Sequence, residues 1–295
     1  MPSYKTHAIH GEMILPSINN RVEIFSEDIK SFCMGPDALI LTDYKLFELQ
    51  HVRNTRKYFK TLIKLIKQNK LQDNGETMAF LYGQIDHFIL DMIMHPLIYY
   101  MTHNLPKESV LDPHAIVENL IDDYVIQKYD KNDEIYYHKV TISNRKLIKL
   151  INDAYKRVYN TKNISFKYSI GMILISIYDS LIRRDKLVLA KSVMKLINFG
   201  DVSYHSDYKR VLPYLNLNHE LWLNPETGEE SYASFDNLWE KASEVALETI
   251  QDVNMYLYQD KTLKNPIIMN DTSFNTGLPC NKGQTLKYVK KYIKR

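Results

Sequence analysis

Between Thr77 and His103 runs TMAFLYGQIDHFILDMIMHPLIYYMTH, a segment that reads as one helix, apolar almost all the way round. A helix without a polar face has to be surrounded, so this one demands that other helices pack on every side of it. Pro96 sits inside it and is expected to bend it or to end its first half. Of the ionisable residues that interrupt the apolar run, three stand in step. His87, Asp91 and His95 are spaced by four, and such steps drift by only about 40° around a helix, so the three share one stripe. An ionised aspartate among Phe88, Ile89, Leu90, Met92, Ile93 and Met94 is costly unless it is paired or binds a metal.

The rest of the chain supplies the surrounding helices. LFELQHVRNTRKYFKTLIKLIKQNK, within Tyr44 to Lys70, has the period of a single amphipathic helix. QDNGE then breaks it. Asp112 is an expected N-cap with Pro113 at the first helical position, and HAIVENLIDDYVI follows as helix. KYDKNDE is a polar break, and two more helices are expected over Ser143–Tyr159 and Phe166–Phe199. Residues 200–233 read as a long loop. A last long helix is expected from Ser234 to Tyr258, with an N-cap in SFDN. The tail, 260–295, reads as irregular until a basic helix in KYVKKYIKR. Glycine is scarce, at nine residues, and no alternating run or internal repeat stands out. The expected fold is all-α, a single multi-helix domain over residues 1–295.

Bulk properties narrow the class. A chain of 295 residues with 45% hydrophobic side chains has material for a sizeable core. Its 38 basic and 35 acidic residues nearly balance, which argues against a dedicated nucleic-acid-coating surface. Cys33 and Cys280 make neither a disulfide framework nor a thiolate zinc site. MPSYKTHAIHGEMILP lacks a signal-peptide core, and no stretch reaches the roughly 18 apolar residues of a membrane span. The expectation is a soluble, cytoplasmic protein.

The chain repeats its histidine–carboxylate theme. His114 and Glu118 stand four apart on the next helix, Asp37 precedes an apolar run in GPDALI, His51 lies on the amphipathic helix, and His7 and His10 lie near the N-terminus. Imidazole and carboxylate without thiolate are the ligands of catalytic zinc or of a hard multi-metal site. The competing reading is a set of buried Asp–His hydrogen bonds with no metal. His10 is expected to be solvated or capping, although it could exchange roles with His7. His103 reads as a helix-end histidine, and His138, His205 and His219 have no partners at ligand spacing.

Taken in order, THAIHGEMIL, GPDALI, QHVRNTRKYFK, HFILD and HAIVE resemble the segments of the zinc-dependent phospholipase C superfamily, in its intracellular bacterial-type branch. The same superfamily contains secreted single-strand nucleases. LNLNHELWLNPETGEESYASFDNLWEKA is also similar to that branch. The resemblance implies an all-α fold and a zinc-dependent phosphoric-ester hydrolase holding two or three zinc ions. One zinc would use Asp37, His51, His87 and Asp91. Asp91 would bridge to a second, held also by His7. A third would use His95, His114 and Glu118. A metal-bound hydroxide would be the nucleophile, with Asp37 also serving as general base.

The implied substrate is a phospholipid head group or a soluble phosphodiester. Alternatives are a nuclease or nucleotide phosphohydrolase of the same superfamily, and a non-catalytic, metal-stabilised helical interaction protein. Nucleic acid is the less favoured partner. The chain departs from the secreted members in placing His95 only four residues after Asp91, and in having Met1 where they ligate a metal through a processed N-terminal Trp. No aromatic pocket for a choline group is identified, although Tyr82, Tyr99 and Tyr100 are near the motifs in sequence.

Overall fold

The computed structural model describes residues 4–18, 21–105, 113–131, 142–183, 208–259, 261–280 and 285–291. Nine helices carry the architecture of these residues: α1 (Tyr4–Ile14), α2 (Ser26–Phe32), α3 (Tyr44–Val52), α4 (Thr55–Gln68), α5 (Gly75–Thr102), α6 (Pro113–Lys128), α7 (Arg145–Tyr159), α8 (Ile164–Arg183) and α9 (Phe235–Gln259). The fold is all-α, and strand among the described residues is confined to a minimal antiparallel pair, Trp222–Leu223 with Glu230–Ser231.

Helix α5 is the axis of the molecule. Every residue from Thr77 to Asp91 is buried, as a helix without a polar face requires. The Asn74 side chain caps its start by accepting from Thr77 N at 2.9 Å. Helices α1, α2, α6 and α9 all pack against it. Pro96 neither ends the helix nor divides it, and α5 runs on to Thr102. Proline removes only the bond to the carbonyl of Met92, and a glycine, Gly277, packs beside that carbonyl instead.

The expected single helix over Tyr44–Lys70 is two helices. Asn54 stands between them with φ 60°, a left-handed conformation that asparagine tolerates and a helix interior does not. Helix α7 starts behind an Asn144 cap, close to expectation. Helix α8 begins two residues early and is described to Arg183; the expected continuation to Phe199, and the Asp112 cap, lie outside the described residues. The expected loop 200–233 is more ordered, with a 3-10 segment at Tyr208–Tyr214 before the strand pair. Ser234 and Asn237 cap α9 reciprocally through Asn237 N to Ser234 Oγ and Ser234 N to Asn237 Oδ1. The tail is corrected twice. It contains a helical turn at Pro266–Met269, and residues 285–291 are not the expected basic helix. Their amides are taken up elsewhere, Lys287 and Tyr288 by the Pro225 carbonyl and Lys290 by that of Tyr100.

Candidate metal centre

Five separate elements deliver the eight candidate side chains. His7 comes from α1, Asp37 from the 3-10 turn Gly35–Leu39, and His51 from the last turn of α3. His87, Asp91 and His95 come from α5, and His114 and Glu118 from α6. They meet. Asp91 Oδ1 lies 3.1 Å from His7 Nε2 and 3.7 Å from His95 Nδ1, while its Oδ2 lies 3.2 Å from His87 Nε2 and 3.7 Å from His51 Nε2. Asp37 Oδ1 is 3.2 Å from His51 Nε2. Glu118 Oε1 is 3.1 Å from His95 Nε2 and 2.9 Å from His114 Nε2. Three groups of ligand atoms are close enough to hold one cation each: His7, His87 and Asp91; Asp37, His51 and His87; His95, His114 and Glu118.

Backbone carbonyls orient three of these imidazoles. His51 Nδ1 donates to Phe47 O at 2.8 Å, His87 Nδ1 to Cys33 O at 2.9 Å and His95 Nδ1 to Phe274 O at 3.2 Å. A carbonyl can only accept, so each Nδ1 carries the proton. In the neutral ring that turns the Nε2 lone pair towards the carboxylates. Buried atoms are left without hydrogen bonds there: both oxygens of Asp37, Nε2 of His51 and His87, and Oδ2 of Asp91. They lie close to one another but are not aligned for hydrogen bonds. A lone pair facing a buried carboxylate is repulsive, and a divalent cation between them turns that repulsion into coordination. The residues present therefore fit a metal of the zinc type.

Burial pushes the His7 pKa down and the neighbouring His87 adds to the effect, which keeps its lone pair available. Burial also opposes charge on His95, but Asp91 and Glu118 outweigh it and raise the pKa to about 9. His87 moves the same way, with Asp91 and Asp37 overcoming burial. Burial disfavours the ionised forms of Asp91 and Glu118. His95, His87 and His7 overcome this at Asp91, and His114 leads at Glu118, so both carboxyls lie below their usual range.

Two local devices seat the ligands. Gly35 has φ +54°, and a Cβ there would lie 2.4 Å from the His87 ring. Gly35→Ala is expected to cost about 1–2 kcal/mol for the backbone conformation alone, with further loss as His87 is displaced. Urea unfolding of chelated protein would measure this, and an unchanged midpoint would show that the turn does not seat His87. The second device is the strap Asp271–Cys280. Phe274 N and Ser273 Oγ both donate to His51 O, at 2.9 and 3.2 Å, while Phe274 O accepts from His95. Asp271 anchors the strap by accepting from Arg56 N and Thr55 Oγ1 at the start of α4.

A cavity of about 420 Å³ opens onto the group, lined by Tyr44, Phe47, His51, His95, Tyr99 and His114, with Asn275 of the strap at its edge. Tyr99 stacks on His114 with ring centres 4.3 Å apart. Tyr82 and Tyr100 lie elsewhere, bonded to Asn254 and packed on Trp222 respectively. His10 is a correction, being neither solvated nor a cap. It is fully buried, donates through Nδ1 to Asp86 Oδ1 at 2.7 Å and shares a hydrogen bond with Ser243 Oγ at 2.9 Å. Asp86 also accepts from Cys33 Sγ, whose pKa burial raises well above normal, so this cluster braces α1, α5 and α9 behind the centre.

A sequence model described as zinc dependent phospholipase C matches residues 6–165, more than half of the chain. The chain belongs to this family. Within the zinc dependent phospholipase C match lie all eight residues from His7 to Glu118, and outside it lie α9 and the strap. No curated protein and no solved structure matches the chain. Sequence reasoning missed Ser273 and Phe274. They act through backbone atoms or a small hydroxyl, and DTSFNTG carries no residue pattern that announces such a role.

Proposed function

We propose that this chain is a zinc-dependent phosphoric-ester hydrolase that cleaves phosphodiesters. The observation that carries the reading is the junction of two ligand groups that share His87, with Asp91 also 3.7 Å from His95 of the third group, beside an open aromatic cavity. Asp37, His51, His87 and Asp91 would hold one zinc, and His7 with Asp91 a second. His95, His114 and Glu118 would hold a third. Zinc in such a site polarises a phosphoryl oxygen and lowers the pKa of water towards 7.

The chain supplies the rest. Asp91 directs one oxygen to each side of the junction, which fixes the spacing of the first two groups. Asp37 is fully buried with both oxygens free of hydrogen bonds, which supports a role as general base beside its role as ligand. Phe47 and Tyr99 flank the cavity and exclude water from one side of a bound ester. The substrate class is a phospholipid head group or a soluble phosphodiester. The cavity against His51, His95 and His114 favours a site with an open position over a closed structural one.

The test is metal content by inductively coupled plasma mass spectrometry, with bis(p-nitrophenyl) phosphate hydrolysis before and after chelation. Two or three zinc per chain with chelator-sensitive turnover is expected. Zinc with no turnover on any phosphodiester would reduce the centre to a structural role. Absence of metal after reconstitution would leave only a hydrogen-bond network.

A further inference from the structure

The near-balanced net charge conceals a strong asymmetry. Thirteen of the 38 basic side chains, and one of the 35 acidic ones, fall in residues 53–70 and 145–162. These segments are α4, α7 and their flanks, and the remainder of the chain is net acidic. The two helices pack side by side, with the Tyr58 ring 5.3 Å from that of Tyr155. Each buries an apolar stripe, Leu62, Ile63 and Ile66 on α4 and Leu147, Leu150 and Ile151 on α7. Their outer faces carry Arg56, Lys57, Lys60 and Lys64, and Arg145, Lys146, Lys149, Lys156 and Arg157, all exposed. None of these nine makes an ion pair among the described residues. A merely solvated face mixes signs, whereas a face of one sign attracts an opposite surface.

An apolar stripe adjoins it. Asn152 of α7 bonds Ser165 of α8 at 2.9 Å. Beyond that junction Phe166 is 68% exposed near the start of α8, and Leu174 at 37% and Ile177 at 47% follow more than two turns further along the helix. The surface reaches the cavity at two points. Tyr159 OH donates to the carbonyl of Arg53, two residues after His51. Lys167 pairs with Asp43 at 2.7 Å, which brings the start of α8 against the start of α3, where Tyr44 stands exposed on the cavity rim. Cationic side chains flanking exposed Phe, Leu and Ile match a lipid interface, where head groups meet the charges and acyl chains take up the apolar tips. A nucleic acid would satisfy the charges but offers Leu174 and Ile177 no apolar layer to enter.

We propose that the basic faces of α4 and α7, together with the exposed stripe of α8, dock this protein on an anionic phospholipid bilayer with the cavity rim beside the membrane. The proposal draws on the hydrolase reading only for what the docking serves. The test is co-sedimentation of the full chain with phosphatidylcholine vesicles, with and without about 30 mol% phosphatidylglycerol, across salt concentration. Binding is expected only to the anionic vesicles and should weaken as salt rises. The triple variant Lys57→Gln, Lys60→Gln, Lys64→Gln should bind about a hundredfold more weakly, roughly fivefold per charge removed. It should hydrolyse bis(p-nitrophenyl) phosphate like the parent, because none of the three lines the cavity. Phe166→Ser should weaken binding without changing its salt dependence.

Failure to bind anionic vesicles at low salt would overturn the proposal. So would undiminished binding by the triple variant, or tighter binding to single-stranded RNA than to vesicles. Vesicle binding needs no turnover. A chain that hydrolyses the soluble ester but ignores vesicles refutes the docking surface alone, and one that binds vesicles but is inert refutes the hydrolase alone.

Discussion

Asp91→Asn is expected to lower metal-dependent phosphodiester turnover by roughly a thousandfold or more while leaving helical content unchanged. Four imidazoles surround this one carboxylate, at 3.1 to 3.7 Å. Asparagine keeps the shape and loses the charge, and one of its two terminal atoms becomes a donor that cannot coordinate. One side of the junction then loses its ligand, so zinc content should fall as well as rate. The effect should also reach His95, because the charge of Asp91, together with Glu118, raises its pKa. Steady-state kinetics, metal analysis and circular dichroism on one preparation separate these effects. An Asp91→Asn protein with parental turnover would sink the junction as the seat of the chemistry.

Zinc affinity of the His95, His114 and Glu118 group should climb at least about tenfold per pH unit up to about pH 9, because His95 must lose its proton before Nε2 can bind. The metal-free chain behaves in the opposite sense. A histidine whose folded pKa is raised stabilises the fold fully below its unfolded value, near 6.5, and this contribution is lost as pH rises through about 9. Asp91 and Glu118, with lowered pKa values, stabilise the fold above the ordinary carboxylate range, and that contribution is lost on acidification. These two trends overlap between roughly pH 4.5 and 6.5, and His7, whose pKa is lowered, works against them as pH falls below about 6.5. Above that window zinc takes over, and a hundredfold excess over Kd should add about 2.7 kcal/mol per site, or ~4 °C in Tm. Competition with a chelator across pH tests the slope. A flat log K would show that His95 binds no proton that zinc must displace.

What the sequence disclosed follows from what kind of signal each feature leaves. The stripe His87, Asp91, His95 was legible because helical period is a local property and ionisable residues in an apolar run are conspicuous. The pair His114 and Glu118 was legible for the same reason. The interruption after Val52 was not, since Arg53 and Asn54 fit a helical period and only the left-handed backbone at Asn54 betrays the break. His10 misled because its partners, Asp86 and Ser243, are 76 and 233 residues away. The charge of α4 and α7 was diluted by averaging over the whole chain, and only their packing gathers it onto neighbouring helices.

The strap has a consequence for how the protein is made. The centre takes His7 from α1 and leans on Phe274, so residues 267 positions apart in the chain must meet before His51 and His95 are both secured. At about 5–20 residues per second, translation needs on the order of 15–50 seconds to cover that distance. During that interval the nascent chain carries its histidines and carboxylates without the closing clasp. Secure placement of His51 and His95 therefore belongs to the end of synthesis, and a ribosome stalled before residue 274 would present a helical body without the clasp that holds them.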